Sequence, residues 1–172
     1  MARGFLALTR AELLNLITNR VAVDYLLGET RHLSDMTDYF VGKEAAHDPL
    51  IYQTWTFRDD YSGAELLIAI TQIEAGSIGE EPFHTKGHFH QQPDGSEIVW
   101  GWQGCGILEL GTRDGDIQQT ALTPESVVWI APGMAHRVVN PSADPLIFLS
   151  VSASAVGHDY STVSQLGWSH IY

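Results

Sequence analysis

Thr85-Lys86-Gly87-His88-Phe89-His90, with Glu97 seven residues on and His136 much later, is the stretch on which the reading of this chain turns. Two residues apart on a β-strand, His88 and His90 project to one face, about 7 Å apart. Pro93-Asp94-Gly95 reads as a turn, and Glu97-Ile98-Val99-Trp100 after it reads as the next strand. A hairpin here places Glu97 across from the histidine pair. His136 follows the turn Ala131-Pro132-Gly133-Met134-Ala135, and a closed β-structure brings it to the same point. An HxH pair by itself is unremarkable in a chain with eight histidines. The weight lies on ligands and turns falling into place together. Three imidazoles and one carboxylate suit one divalent transition metal and leave two positions open in an octahedral site.

Outward from this stretch the chain reads as short strands. Ile51–Phe57 alternates, Leu66–Ile73 is a more buried strand, and further strands are expected at 97–102, 106–112, 117–122, 126–130, 136–140 and 145–153. Asp114-Gly115 is a hairpin signal between two of them. Many short strands with Gly and Pro turns predict an all-β sandwich or barrel. Residues 28–50 read as polar and turn-rich, with Tyr39-Phe40-Val41 as a short edge strand. At the start, residues 1–20 read as a helix. Thr9 and Glu12 form a capping box, and Leu13, Leu14, Ile17 and Val21 recur at helical spacing. One domain over 1–172 is expected, with a helical extension over 1–27, a barrel core over 50–155, and a tail, Gly157 to Tyr172, that folds back onto the barrel.

The formal net charge is −12, and the two lysines are Lys43 and Lys86. With no basic cluster, nucleic acid is not an expected partner. An anionic substrate needs a local positive centre, which a bound metal with Lys86 beside it supplies. The alternation with Thr85 and Gly87 nonetheless predicts that Lys86 points away from the site. One cysteine, Cys105, rules out an intrachain disulfide and is expected to be inert. No apolar run approaches the roughly 20 residues that span a bilayer, and the opening residues do not read as a secretory signal. A cytoplasmic protein without membrane contact is expected. Trp100, Trp102 and Trp129 are read as core or cavity wall.

These residues carry a resemblance. Gly87-His88-Phe89-His90, Glu97 and Gly104 resemble the first cupin motif, and Pro132-Gly133, His136 and Asn140 the second. Thr85-Lys86-Gly87-His88-Phe89-His90 is similar to the signature of the cupin-type (archaeal-type) glucose-6-phosphate isomerases, as is Arg31-His32-Leu33-Ser34-Asp35-Met36 with Tyr39-Phe40 after it. The resemblance implies a cupin fold, a double-stranded β-helix or jelly-roll barrel, here with a short N-terminal helix. It implies a homodimer and a sugar phosphate substrate. As cofactor it implies one divalent metal per subunit, iron(II) foremost, with manganese, nickel or zinc compatible, held by His88, His90, Glu97 and His136. By the same resemblance Tyr52, Thr71, Thr85, Gly87 and Tyr160 face the substrate and its phosphate. Glu97 is the candidate base, and His158 the candidate for ring opening or a sugar hydroxyl. The sequence departs from the family pattern at Pro82, where a glycine is usual, and at Val99 and Ser152, where tyrosines are expected.

The implied activity is aldose–ketose isomerisation between glucose 6-phosphate and fructose 6-phosphate, by a metal-assisted cis-enediol route or a hydride shift. Two alternatives stay open at this level: another cupin metalloenzyme such as a dioxygenase, and a non-catalytic sugar-phosphate-binding cupin.

Overall fold

The computed structural model describes residues 9–18, 26–40, 47–57 and 66–165. Thirteen strands make up most of it: β1 (Leu26–His32), β2 (Leu50–Phe57), β3 (Leu66–Ile73), β4 (Ser77–Ile78), β5 (Glu81–His84), β6 (Phe89–His90), β7 (Glu97–Gln103), β8 (Gly106–Gly111), β9 (Ile117–Leu122), β10 (Val127–Ile130), β11 (Ala135–Asn140), β12 (Leu146–Ala153) and β13 (His158–Asp159). Helices α1 (Arg10–Thr18) and α2 (Tyr160–Gln165) lie at the two ends of the described chain. The strands form a six-stranded sheet ordered β1-β2-β3-β12-β7-β10, a five-stranded sheet ordered β4-β5-β11-β8-β9, and the small pair β13-β6. All the strand pairs are antiparallel.

Alternation builds the core. Ile73, Val99, Ile130 and Phe148 of the six-stranded sheet pack against Phe83, Leu108, Leu122 and Val138 of the five-stranded sheet. Each sheet buries one face against the other, which is the sandwich expected of a cupin. A second cluster lies on the far side of the six-stranded sheet. There Leu13 of α1 covers Trp55, Ile70, Trp102 and Ile147. The capping box is formed: the Glu12 carboxylate accepts from the Thr9 backbone N–H at 2.8 Å and from its hydroxyl at 2.7 Å. In return the Thr9 hydroxyl accepts the Glu12 N–H at 3.2 Å. Arg10 fastens the helix to the sheet by donating to the Trp102 carbonyl.

Several expectations are corrected. Glu97 does not form a hairpin with the histidine pair. β6 pairs with β13 instead, and Glu97 opens β7 in the six-stranded sheet, beside Ser152 of β12 and Ile130 of β10. The Pro93-Asp94-Gly95 turn therefore crosses between sheets. Residues 28–32, read as part of a polar turn region, belong to the edge strand β1, whose Glu29 and Arg31 side chains line a polar cavity. Tyr39 and Phe40 are not a strand but follow the short 3₁₀ turn Leu33–Asp35. Val41 and Val21 lie outside the described residues, as do the first residues of the expected 1–20 helix. Trp100 and Trp129, read as core or cavity wall, stand 45% and 62% exposed on the outer face of the six-stranded sheet. Alternation from the inward Glu97 puts Ile98 and Trp100 outward, and Trp129 lies opposite Ile98 in the β7–β10 ladder. The Asp114-Gly115 hairpin is as expected, with Gly115 at φ 91°, a left-handed conformation that glycine adopts without steric cost. Among the described residues no helix is long and apolar enough to cross a membrane.

Candidate metal centre

His88, His90, Glu97 and His136 converge, with one ligand atom from each lying within 4.8 Å of the other three. A cation bonding at about 2.1 Å holds its donors about 3.0–4.2 Å apart, so the cluster is of coordinating size. Three parts of the fold supply it. His88 sits just before β6 and makes a reciprocal backbone bridge with His136 of β11, at 3.2 and 3.0 Å. His90 ends β6, and Glu97 reaches across from the opposite sheet.

The hydrogen bonds at the back of the rings orient the lone pairs. The His90 Nδ1 faces the Gly95 carbonyl at 3.1 Å, and a carbonyl only accepts, so Nδ1 carries the proton. Its Nε2 is then left as a lone pair directed at Glu97 Oε2, 3.2 Å away. His136 repeats the pattern, with Nδ1 at 3.4 Å from the Met134 carbonyl and Nε2 at 3.5 Å from the same Glu97 oxygen. Neither ring nitrogen of His88 has a hydrogen-bond partner, although both are buried, and His136 Nε2 is likewise unpartnered. Buried polar atoms without partners are costly, and lone pairs aimed at a carboxylate oxygen are repulsive. One cation between them removes both costs, so the residues present fit a metal. Outer hydrogen bonds that fix a histidine tautomer in this way are a regular feature of metal sites.

Titration agrees with this. Burial, and next the His136 imidazole, hold the His88 pKa well below its ordinary value, so the ring is neutral at physiological pH. Burial opposes ionisation of Glu97, but the imidazoles of His136 and His90 outweigh it and hold the carboxyl below the usual range. A hydrogen bond donated to the Glu97 carboxylate raises the His90 pKa, so a proton and a cation compete for that Nε2 lone pair. Gly95 is part of the device. A Cβ there would stand 2.7 Å from Val156 and 3.0 Å from His90 Nδ1.

The centre opens into a cavity of about 320 Å³ between the two large sheets, within the range typical of small-molecule sites. Of the residues singled out in the sequence, Tyr52, Thr71, Thr85, His158 and Tyr160 line it together with His88, Glu97 and His136. Gly87 is buried beside His88 and is not among the lining residues. Val99 and Ser152, where tyrosines were expected, also face the cavity. Burial, then the neighbouring Tyr160, push the Tyr52 phenol up, which keeps it a proton donor. Thr85 Oγ1 accepts the Val138 N–H at 3.0 Å, leaving the hydroxyl proton to turn into the cavity. Thr71 Oγ1 lies 3.0 Å from Thr54 Oγ1. The described part of the tail, as far as Gln165, folds back: β13 pairs with β6, and Val163 of α2 packs on Phe89 and Ala135. This brings the His158 ring to 4.2 Å from that of His88, with His158 Nδ1 3.2 Å from the Tyr160 hydroxyl. Trp168 lies outside the described residues.

Sequence reasoning missed Glu29, Arg31 and the Thr54 and Ser150 hydroxyls of the cavity wall. Alternation along β2 and β12 was a usable signal for Thr54 and Ser150. Lys86, expected to point away, lines the cavity, because residues 85–87 form a loop and strand alternation does not apply to them.

The comparisons with known proteins agree with one another. The sequence model of the family described as glucose-6-phosphate isomerase (GPI) matches residues 34–172. The glucose-6-phosphate isomerase of Thermococcus kodakarensis is 37% identical over 146 residues, covering 82% of this chain and 77% of that protein. That of Pyrococcus furiosus is 37% identical over 147 residues, 82% of this chain and 78% of its own length. Among solved structures, the oxalate decarboxylase of Lactobacillus farciminis in its formate complex aligns with a TM-score of 0.52 at 20% identity. That alignment covers 66% of this chain and 32% of the other, and it bears on the fold alone.

Proposed function

We infer the reaction from the family: this chain belongs to the glucose-6-phosphate isomerases, and it interconverts glucose 6-phosphate and fructose 6-phosphate. The observation that carries this reading beyond family membership is the four-ligand cluster at the inner end of a hydroxyl-lined cavity. His88, His90, Glu97 and His136 hold one divalent first-row metal, which we assign as iron(II); manganese, nickel and zinc also satisfy the donor set. When bound, such an ion supplies Lewis acidity, which polarises a carbonyl and acidifies the neighbouring C–H bond.

The chain's own residues do the rest. Tyr52, Thr71, Thr85 and Tyr160 hold the phosphate and thereby fix the sugar along the cavity, and Gly87, which does not line it, shapes the loop between Thr85 and His88. His158, at the open side of the histidine cluster and hydrogen-bonded to Tyr160, handles the proton that ring opening requires. Glu97 presents Oε2 to His90 and His136. Its other oxygen, Oε1, takes the C2 proton of the open-chain aldose, exchanges it with solvent and delivers a proton to C1, while the O2 proton passes to O1, the cis-enediol route. One observation favours a second reading. The Glu97 carboxyl has a depressed proton affinity, and a weak base favours direct hydride transfer from C2 to C1. Substrate deuterated at C2 separates the two: wash-out into solvent supports Glu97 as base, and full retention at C1 supports the hydride shift. Loss of all turnover in metal-loaded Glu97→Gln with metal content unchanged is also expected if Glu97 is the base.

The active form is a homodimer. Ile98, Trp100, Val127 and Trp129 are all exposed and pair directly across the β7–β10 ladder, so they form one apolar patch. A patch of this kind on an otherwise acidic protein suits a self-complementary contact with a second copy. A single cysteine and a sugar phosphate substrate support a cytoplasmic location.

A further inference from the structure

The isomerase reading leaves one electrostatic question open. A sugar phosphate brings up to two negative charges into a chain of net charge −12, and the phosphate-facing hydroxyls named above are neutral. Among the described residues the cavity wall carries three cationic side chains besides histidine: Arg31, Lys86 and Arg137. Arg137 is committed elsewhere, with Nε 2.6 Å from Glu109 and Nη1 3.8 Å from Glu81. Arg31 and Lys86 remain, and they flank Tyr52. Arg31 is the cross-strand partner of Tyr52 in the β1–β2 ladder, which puts neighbouring side chains on one face. The Lys86 backbone N–H lies near enough to the Tyr52 hydroxyl to favour its ionised form. The Lys86 ammonium lies 5.1 Å over the Tyr39 ring, whose edge in turn meets Tyr160. No carboxylate lies within ion-pair distance of it among the described residues. Burial, and then the field of Arg31, hold the Lys86 pKa below its ordinary value, as expected of two cations sharing one corner.

Arg31 has a resident anion. Glu29 Oε2 accepts from Nη2 at 2.7 Å, and the Thr30 carbonyl accepts from Nη1 at 2.9 Å. Glu29 also lines the cavity. A guanidinium offers five N–H donors in a planar fork suited to phosphate, so these two contacts leave donors over. Any anion that engages Arg31 must share it with Glu29 or displace it.

We propose that Arg31 and Lys86 are the charge-bearing contacts for the substrate phosphate, and that Glu29 is a built-in competitor that weakens phosphate binding. This rests on the isomerase reading for the identity of the ligand, but not for the existence of the anion site. The test is titration calorimetry with inorganic phosphate on the protein as purified, comparing wild type with Arg31→Met, Lys86→Met and Glu29→Gln at matched metal content. We expect the Kd to weaken tenfold or more in each Met variant and to tighten severalfold in Glu29→Gln. Arg31→Lys, which keeps the charge but not the fork, should fall between. Wild type that binds no phosphate, or Met variants that bind within twofold of wild type, overturns the assignment; so does an unchanged Glu29→Gln for the competitor role. Isomerase activity measured on the same samples separates the two levels. An active wild type whose phosphate affinity ignores these substitutions sinks this inference alone. The expected phosphate pattern in an inactive wild type sinks the isomerase reading alone.

Discussion

Arg137 follows the ligand His136 on β11, and its substitution is the most quantitative test of how the fold holds the centre. Its guanidinium is almost fully buried, 2.6 Å from a Glu109 carboxylate that is also buried. Glu109 is itself anchored by Gln119 at 2.8 Å, while Glu81 bridges Arg137 and His84. Arg137→Met keeps the apolar stem and takes away the guanidinium that faces the buried Glu109 carboxylate. Removing one partner of a buried pair costs about 3–5 kcal/mol. For a chain of this size each kcal/mol moves Tm by about 2–4 °C, so the midpoint should fall by about 6–20 °C. The second half of the argument concerns the orphaned charge. In Arg137→Met/Glu109→Gln that charge is gone, Gln119 still has an amide partner, and at least about 2 kcal/mol should return. Thermal and urea unfolding of the wild type, both single variants and the double variant close the cycle. A single variant within about 1 kcal/mol of wild type, or a double variant no better than the single one, would refute the view that this pair clamps β11 as a buried ionic contact.

Other substitutions probe separate links. Gly95→Ala should displace the His90 ring, because the new methyl meets Nδ1 and Val156; metal affinity measured by chelator competition should fall by about 10–100-fold. Asp159→Ala removes the acceptor for the Thr162 N–H and for the Ser161 and Thr162 hydroxyls at the start of α2. We expect kcat/KM to drop severalfold through Tyr160, with Tm shifted by no more than a few degrees, as for a lost exposed cap of about 1 kcal/mol. Trp129→Glu should convert the proposed dimer to monomer in sedimentation at micromolar concentration, and an unchanged dimer mass would move the interface elsewhere.

How much of this was legible beforehand follows from where each signal resides. The four candidate ligands, which the structure gathers into one cluster, could be read because their spacing, the turns beside them and the donor types are local facts. The same holds for the Thr9 capping box and the 114–115 hairpin. The crossing of Glu97 to the opposite sheet was not legible, since a turn signal marks a reversal but not the sheet that receives the chain. β1 escaped because Gly28, Glu29, Thr30 and Arg31 look like a loop. They form a strand only because one face lines a polar cavity. The outward position of Trp100 was available from alternation with Glu97, and residue type alone pointed the wrong way. Arg31 beside Tyr52 and Lys86 is a purely tertiary relation, joining residues 21 and 55 positions apart.

The central claim is that the His88, His90, Glu97 and His136 cluster holds the metal on which isomerisation depends. It is tested most directly by a coupled assay of fructose 6-phosphate conversion to glucose 6-phosphate. The protein is stripped with chelator and reloaded separately with iron(II), manganese(II), nickel(II) and zinc(II), with His136→Ala alongside. The account predicts that stripping abolishes turnover, that at least one ion restores it, and that His136→Ala neither retains stoichiometric metal nor recovers. Full turnover by metal-free protein, or none by protein shown to carry each of the four ions, would contradict it.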